Sequence, residues 1–181
     1  MKHLFAVAGA VALLLAGAQS ATAGLPVGSI APEFTAQASM AGKQFPFSLS
    51  EALKKGPVVL YFFPAAFTKG CTIEAHEFAE AQPQYKALGA TLIGVTAGNI
   101  DRLTEFSVSE CRSKFPVAAD PHAVIAKEYK STLAVMGVSD RTSYVIAPDD
   151  RILLSYSNLN PDQHVAETLG ALKAWRAKHP V

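Results

Sequence analysis

Two largely apolar segments in the middle of the chain predict buried strands. The first is the unbroken apolar run 58–63 and the second covers residues 91–96, and segments of this length are typical of central strands covered on both faces. Helix-compatible residues fill positions 71–88 between them, with a bend or interruption expected at Pro83 and with Gly89 ending the helix. The pattern therefore predicts a strand–helix–strand unit whose helix carries Cys71 in its first turn.

Weaker patterns predict the remaining elements. Residues 25–43 are expected to be extended, because Pro26 and Pro32 oppose an early helix. Two runs over 143–147 and 151–156 flank a Pro-Asp-Asp turn, which is typical of a β-hairpin. The other expected elements are a short helix after Ser48 or Ser50 that ends at Gly56, a helix over 101–113, a short strand over 115–117, a helix over 124–129, and a closing helix capped by Asn160 with Pro161 at its first position.

The order of these elements indicates the fold class. Strand, helix, strand and helix are followed by a hairpin and a closing helix, which predicts an α/β fold with a mixed central β-sheet flanked by helices. A thioredoxin-like fold is compatible with this order.

The first residues of the chain predict a secretory signal peptide over residues 1–23. A basic start at Lys2 leads into a short apolar segment, and a small-x-small sequence precedes a cut after Ala23. A membrane anchor is the alternative, but the apolar segment is short and rich in Ala and Gly for a spanning helix. We therefore expect an exported, periplasmic protein with one domain over residues 24–181 and no membrane attachment after cleavage.

Composition excludes some partners of the mature chain. Of the 16 Lys and Arg residues only Lys2 would be lost, which leaves 15 basic against 15 acidic residues. Near-zero net charge without a cluster of basic residues argues against nucleic acid and against an electrostatically bound membrane surface.

Export changes how the two cysteines, Cys71 and Cys111, are interpreted. An oxidising compartment permits a static disulfide between them. A domain of this size does not need such a bridge, and Cys71 lies in a context that favours reactivity, so a pair that cycles between thiol and disulfide is the preferred interpretation.

The loop before Cys71 carries the candidate chemistry. A thiol in the first turn of a helix faces unpaired N–H groups and the positive end of the helix dipole, both of which favour thiolate. Thr68 could orient an oxygen substrate beside the sulfur, although a simple helix N-cap is an equally good interpretation. Pro64 suits a shaped, water-shielding wall, and Gly70 permits close approach of another group.

Two separated motifs resemble those of a known family. Pro64, Thr68 and Cys71, placed directly after an apolar strand, resemble the peroxidatic motif of the peroxiredoxins. The residues that follow, with Glu74 and Phe78, resemble the Q-type or bacterioferritin-comigratory-protein subgroup. Far downstream, the segment that begins at Arg141 resembles the family's second active-site motif, and residues 26–34 resemble its N-terminal segment.

The resemblance implies a thiol-dependent peroxidase. Cys71 would attack a hydrogen peroxide or organic hydroperoxide and become a sulfenic acid, while Arg141 would stabilise the thiolate and the leaving oxygen. A surface ion pair with a nearby aspartate is the alternative for Arg141. Glu74 could bond to the backbone or to Arg141, or could simply interact with the helix dipole.

The resemblance also bears on how the sulfenic acid is resolved. Many Q-type members use a cysteine five positions after the first, and here that position is His76. Some members place the resolving cysteine on the next crossover helix, which implies an intramolecular Cys71–Cys111 disulfide formed with local unwinding. A buried structural thiol is the alternative for Cys111.

Two other functions compete with this interpretation. A thiol–disulfide oxidoreductase of the same fold would need Cys-x-x-Cys, and Thr68 occupies the first position of that tetrad. An exported copper-binding module would need further thiolate or imidazole ligands in a motif, and the five histidines show no such spacing. We expect no cofactor and no metal, a thioredoxin-like or other thiol reductant, and, from the resemblance, a monomer.

Overall fold

The computed structural model describes residues 24–133 and 135–180, so the predicted signal peptide lies outside the described residues. A seven-stranded mixed sheet forms the centre of this part of the chain. In spatial order its strands are β2 (Lys43–Ser48), β1 (Thr35–Met40), β5 (Val117–Ala119), β4 (Thr91–Thr96), β3 (Val58–Phe62), β8 (Thr142–Ile146) and β9 (Ile152–Ser157). Two short strands, β6 (Thr132–Leu133) and β7 (Val138–Ser139), pair separately.

Helices cover both faces of the sheet. They are α1 (Leu49–Leu53), α2 (Lys69–Ala87), α3 (Leu103–Ser109), α4 (Val124–Glu128) and α5 (His164–Lys178), with short 3₁₀ turns before α3, α4 and α5. None of the helices in the described residues is long and apolar enough to cross a membrane. The expected α/β class with a mixed, helix-flanked sheet is confirmed.

Strand β3 lies near the centre of the sheet and determines where the core forms. It runs parallel to β4 and antiparallel to β8. Because side chains alternate along a strand, Leu60 and Phe62 pack into the cluster on one face, and Tyr61 and Phe63 pack into the cluster on the other. The second cluster also contains Cys71, so the apolar run anticipated from the sequence leads directly into the candidate site.

Several local predictions are confirmed. Strand β4 has the expected bounds, and Gly89 has the left-handed φ of +68° that follows a helix C-terminus. Helix α1 has Ser48 as its N-cap, whose hydroxyl accepts from the Glu51 amide. Helix α2 is continuous through Pro83, so the interruption is wrong.

The first hairpin is a feature that the sequence pattern missed. Strands β1 and β2 pair antiparallel and are joined by Ala41 and Gly42, with φ of +50° and +78°. Positive φ at both central residues is the geometry that suits a two-residue hairpin loop. Pro46 lies within β2 and has no N–H to donate, which is tolerated because β2 is the edge of the sheet.

The helix expected over 101–113 ends earlier than predicted. Helix α3 stops at Ser109, and Cys111 lies in the turn that follows, not on the helix. Arg112 and Ser113 have left-handed φ values of +50° and +57°, which reverse the chain before it enters β5. The prediction that Cys111 lies on the crossover helix is therefore wrong, because the residue lies in the turn that follows the helix.

Candidate active site

The turn between β3 and α2 is fastened to the neighbouring strand. The Pro64 carbonyl accepts from the Thr96 hydroxyl at 3.2 Å, and the Asn99 side-chain amide donates to the Ala66 carbonyl at 2.8 Å. Thr68 is exposed at the N-cap of α2, but its hydroxyl donates to the Ala65 carbonyl at 3.1 Å and does not cap the helix. These bonds fix the backbone immediately before the cysteine.

Cys71 is the third residue of α2 and is 1% exposed. Its position in the first turn places the sulfur near the unpaired N–H groups and the positive end of the helix dipole. The surrounding apolar cluster excludes water, which strengthens any charged interaction that the sulfur makes. A buried thiolate at this position therefore depends more strongly on a fixed neighbouring cation than a solvent-exposed thiolate would.

Arg141, which immediately precedes β8, supplies such a cation. Its guanidinium Nη2 lies 3.5 Å from Cys71 Sγ, and its Nε donates to the Leu159 carbonyl at 2.9 Å. Its Nη1 pairs with Glu74 Oε2 in an ion pair that is buried at both ends. Three anchors hold the planar guanidinium in one orientation, and its buried partner is Glu74, so the alternative of a surface ion pair with an aspartate does not hold.

Gly70 makes this approach possible. A Cβ added at that position would lie 3.0 Å from Arg141 Nη2. This distance is tighter than ordinary van der Waals contact, so a side chain there would displace the guanidinium from the sulfur. The close approach expected at Gly70 is thus made by the arginine.

Charges in this pocket influence one another strongly because they are buried. Burial works to lower the pKa of the Arg141 guanidinium, but Glu74 and Cys71 outweigh burial and the pKa is raised. Burial also raises the pKa of Glu74 to about 8, against the opposing effect of Arg141. Arg141 stays charged, while Glu74 can hold a proton near neutral pH.

A buried histidine behind Glu74 was missed by the sequence interpretation. His164 begins α5 and is fully buried, with Nε2 2.8 Å from the Asn158 carbonyl and Nδ1 2.8 Å from Ser143 Oγ. Its Nδ1 lies 3.7 Å from Glu74 Oε1. The sequence offered one indirect signal for this histidine. Ser143, its hydroxyl partner, lies two residues beyond Arg141 and so faces the same side of the chain as the arginine.

Cys111 belongs to the same apolar cluster as Cys71 but has a different electrostatic environment. Both thiols are free and buried. Burial raises the pKa of Cys111 well above its usual value, and the adjacent Glu110 adds to the effect. The folded turn therefore keeps Cys111 as a neutral thiol.

Two polar side-chain contacts connect the Cys111 turn to α2. Glu110 lies 3.0 Å from His76 Nε2, and Arg112 lies 3.1 Å from Glu80. The residues that flank Cys111 on either side are thus each tied to the helix that carries Cys71.

The structure brings some of the predicted residues together and leaves others apart. Cys71, Glu74 and Arg141 form one contact network, whereas Thr68 lies at its solvent side and Pro64 lines the preceding turn. Within residues 24–133 and 135–180, no group of three or more His, Cys, Asp or Glu is arranged to hold a metal ion.

Comparison with known proteins identifies the family. A profile described as the AhpC/TSA family matches residues 27–155. The chain belongs to this family. A putative peroxiredoxin of Mycobacterium tuberculosis is 30% identical over 136 residues, which cover 73% of this chain and 88% of that protein. The chloroplastic peroxiredoxin Q of Sedum lineare is 31% identical over 149 residues, covering 81% and 77% of the two chains.

Solved structures show the same fold. Peroxidoxin BcpB from Mycobacterium tuberculosis superposes with a TM-score of 0.73 at 28% identity, covering 82% of this chain and 96% of that one. The reduced 2-Cys peroxiredoxin of Plasmodium vivax superposes with a TM-score of 0.75 at 22% identity, covering 86% and 99%. The expected peroxiredoxin resemblance and Q-type relationship are confirmed, and the protein is a thiol-dependent peroxidase, an oxidoreductase.

Proposed function

We propose that Cys71 is the peroxidatic cysteine of this enzyme and that Arg141 is the cation that supports it. The 3.5 Å contact between Arg141 Nη2 and Cys71 Sγ carries the proposal. The thiolate attacks the terminal peroxide oxygen, so that an S–O bond forms as the O–O bond breaks. The leaving alkoxide or hydroxide takes a proton and departs as alcohol or water, which leaves a sulfenic acid.

Arg141 acts on the charge that moves during this step. Negative charge passes from sulfur to the leaving oxygen, and a guanidinium anchored on Leu159 and Glu74 can donate to both without reorganising. Thr68, exposed beside the site, is proposed to turn its hydroxyl from the Ala65 carbonyl to the peroxide. Pro64 is proposed to shield the substrate from water.

Cys111 is proposed to resolve the sulfenic acid. Its thiolate attacks the Cys71 sulfur, an S–S bond forms, and the hydroxyl group leaves as water. A neutral thiol is a poor nucleophile, so the turn around Cys111 must open before this step. Free, buried thiols in one apolar cluster, with strained residues beside Cys111, support such a cycle.

Reduction and location complete the proposal. A thioredoxin-like or other thiol reductant returns the disulfide to two thiols, and the thiols of the reductant are themselves oxidised to a disulfide. We propose export through cleavage after Ala23, a periplasmic location and a monomeric enzyme, which rest on the N-terminal sequence and on the Q-type relationship. Cell fractionation, the N-terminal sequence of the exported chain and its sedimentation would test these three points.

Mass spectrometry after one equivalent of peroxide tests the residue roles. The wild type should lose two hydrogens and join the Cys71 and Cys111 peptides. Cys111→Ser should stop at the sulfenic acid, so that it still reduces one equivalent of peroxide but does not turn over repeatedly. Cys71→Ser should not consume peroxide. If Cys111→Ser gave the same intramolecular product as the wild type, the resolving role of Cys111 would be wrong. If Cys71→Ser consumed peroxide normally, the attacking role of Cys71 would be wrong.

A further inference from the structure

The hydrogen bonds of His164 define which nitrogen carries its proton. Its Nε2 lies 2.8 Å from the Asn158 carbonyl, which can only accept, so Nε2 is a donor. The neutral ring then has a bare Nδ1 with a single lone pair, which the Ser143 hydroxyl at 2.8 Å can fill. The same Nδ1 lies 3.7 Å from Glu74 Oε1, so a proton on Oε1 competes with Ser143 for that lone pair and reaches it only when the two side chains move closer.

Glu74 presents the complementary problem. Its Oε2 pairs with Arg141, but its Oε1 is buried and has no hydrogen-bond partner in the described structure. A bare carboxylate oxygen in a dry interior is costly, and here it faces the lone-pair side of His164 Nδ1. A proton on Glu74 Oε1 would remove this repulsion, with His164 Nδ1 as its acceptor once the Ser143 hydroxyl turns away.

We propose that Glu74 Oε1 and His164 Nδ1 share one exchangeable proton, and that His164 thereby acts as a positioning residue for the active-site guanidinium. The proposal rests on the catalytic roles of Cys71 and Arg141 given above. With the proton in place, Glu74 offers Arg141 only one oxygen, and the positive charge of Arg141 is left to balance the thiolate. Without the proton, a full carboxylate neutralises Arg141 and the buried site carries an excess negative charge.

The surrounding charges agree with a retained proton. Burial raises the pKa of Glu74 to about 8 and lowers the pKa of His164 to about 4, so at neutral pH the proton lies mainly on Glu74. Besides Arg141, the groups that face this pair are Glu77 on α2, Tyr156 on β9 and Tyr61 on β3. Glu77 and Tyr61 are acids and never carry a positive charge, so neither could expel the proton, and a negative charge on either would only favour its retention.

Loss of the proton predicts a fall in peroxidase rate at alkaline pH. The rate of sulfenic acid formation in the wild type should fall at alkaline pH as the pair deprotonates, by up to about tenfold per pH unit for a single group. Glu74→Gln tests this directly. Its amide oxygen can accept from Arg141 while its amide N–H donates to His164 Nδ1, which mimics the protonated state and cannot ionise.

The readout is the shape of the pH profile, with each protein normalised to its own maximum. Single-turnover rates in Glu74→Gln should lose the alkaline limb. His164→Phe should move the alkaline limb to lower pH, because Glu74 loses its proton acceptor. His179→Phe, at the exposed end of α5, is the matched control and should leave the profile unchanged.

Nuclear magnetic resonance of the wild type gives a readout independent of activity and of any variant's folding. The side-chain ¹³C signal of Glu74 and the ring ¹⁵N signals of His164 should titrate together, with Nε2 protonated throughout. Independent titration, or an alkaline limb that is absent from the wild type or persists in Glu74→Gln, would overturn the shared proton. Failure of the catalytic assignment is distinguishable, because Cys71→Ser would then still consume peroxide whatever the spectra show.

Discussion

Removal of the ion pair beside Cys111 should speed formation of the disulfide. Arg112→Ala deletes the contact of Arg112 with Glu80 on α2, which lies 3.1 Å away in the folded turn. The pair of Glu110 with His76 remains, so the turn keeps one of its two ties. In the proposed cycle, resolution requires the turn to open, and a weaker tie makes the open form more common.

The size of the effect follows from the exposure of the pair. The Arg112 and Glu80 side chains are 42% and 67% exposed, so the pair contributes only about 0.2–1 kcal/mol. That range raises the population of the open turn about 1.4- to 5-fold. The left-handed φ values of Arg112 and Ser113 already oppose the folded turn, by about 1 kcal/mol or more each. A weak ion pair can therefore affect the opening measurably.

Two assays should report the same factor. Hydrogen exchange in the reduced protein measures the opening directly at the amides of Ser113 and Lys114, which bond to the Ser107 and Cys111 carbonyls. Quenched-flow mass spectrometry measures disulfide formation after a peroxide pulse. Lys54→Ala, which removes a more exposed ion pair at the end of α1, far from the Cys111 turn in sequence, is the control and should change neither rate.

Separate outcomes would refute separate steps of the reasoning. Unchanged exchange at Ser113 and Lys114 in Arg112→Ala would show that the ion pair does not hold the turn. Faster exchange with an unchanged disulfide rate would show that opening of this turn does not limit resolution.

Further predictions concern the buried network. Arg141→Lys keeps the charge but cannot reach all three anchors at once, so kcat/KM for peroxide should fall about 10²- to 10³-fold in stopped-flow assays. Burial raises the pKa of Glu74 from 4.5 to about 8, so the folded state binds a proton there that the unfolded state lacks, and stability falls as pH rises through that window. The lowered pKa of His164 opposes this below 6.5, so urea unfolding should show the decline between 6.5 and about 8, at up to about 1.4 kcal/mol per pH unit, and Glu74→Gln should abolish it. Gly94→Ala would place a Cβ 2.6 Å from a Tyr61 ring carbon, so overpacking should lower the free energy of unfolding by about 1–3 kcal/mol in the same assay.

Local sequence signals were sufficient for the elements that carry Cys71. The apolar run of β3 and the helix-compatible residues after it depend on neighbours in sequence, and the structure reproduces both. The predicted helix over 101–113 extends beyond the end of α3 because nothing in the local sequence marks that end. Arg112 and Ser113 are not residues that favour a left-handed conformation, yet the chain reverses there to reach β5. The prediction failed where tertiary packing overrides propensity.

The partners of Cys71 depended on a different kind of information. The proximity of Arg141, seventy residues away, came from family resemblance, since spacing alone cannot bring two distant residues together. His164 carried no motif and was not singled out, although its burial at the start of α5 makes it part of the network. The pairing of β3 with β8 sets Phe62 opposite Thr142, and this brings the loop that leads to Cys71 beside Arg141.

In the proposed cycle, the contrast between the two cysteines determines the order of the reaction. Both lie in one apolar cluster, yet Cys71 faces a fixed guanidinium at a helix start while Cys111 faces Glu110 in a buried turn. Environments that separate two thiols in this way make one a nucleophile and keep the other inert. Under the proposed roles, the folded protein favours peroxide attack over resolution, and the sulfenic acid waits until the turn opens. We propose that opening exposes Cys111 to water and removes the burial that raises its pKa, so that the movement that brings the second thiol within reach also makes it reactive.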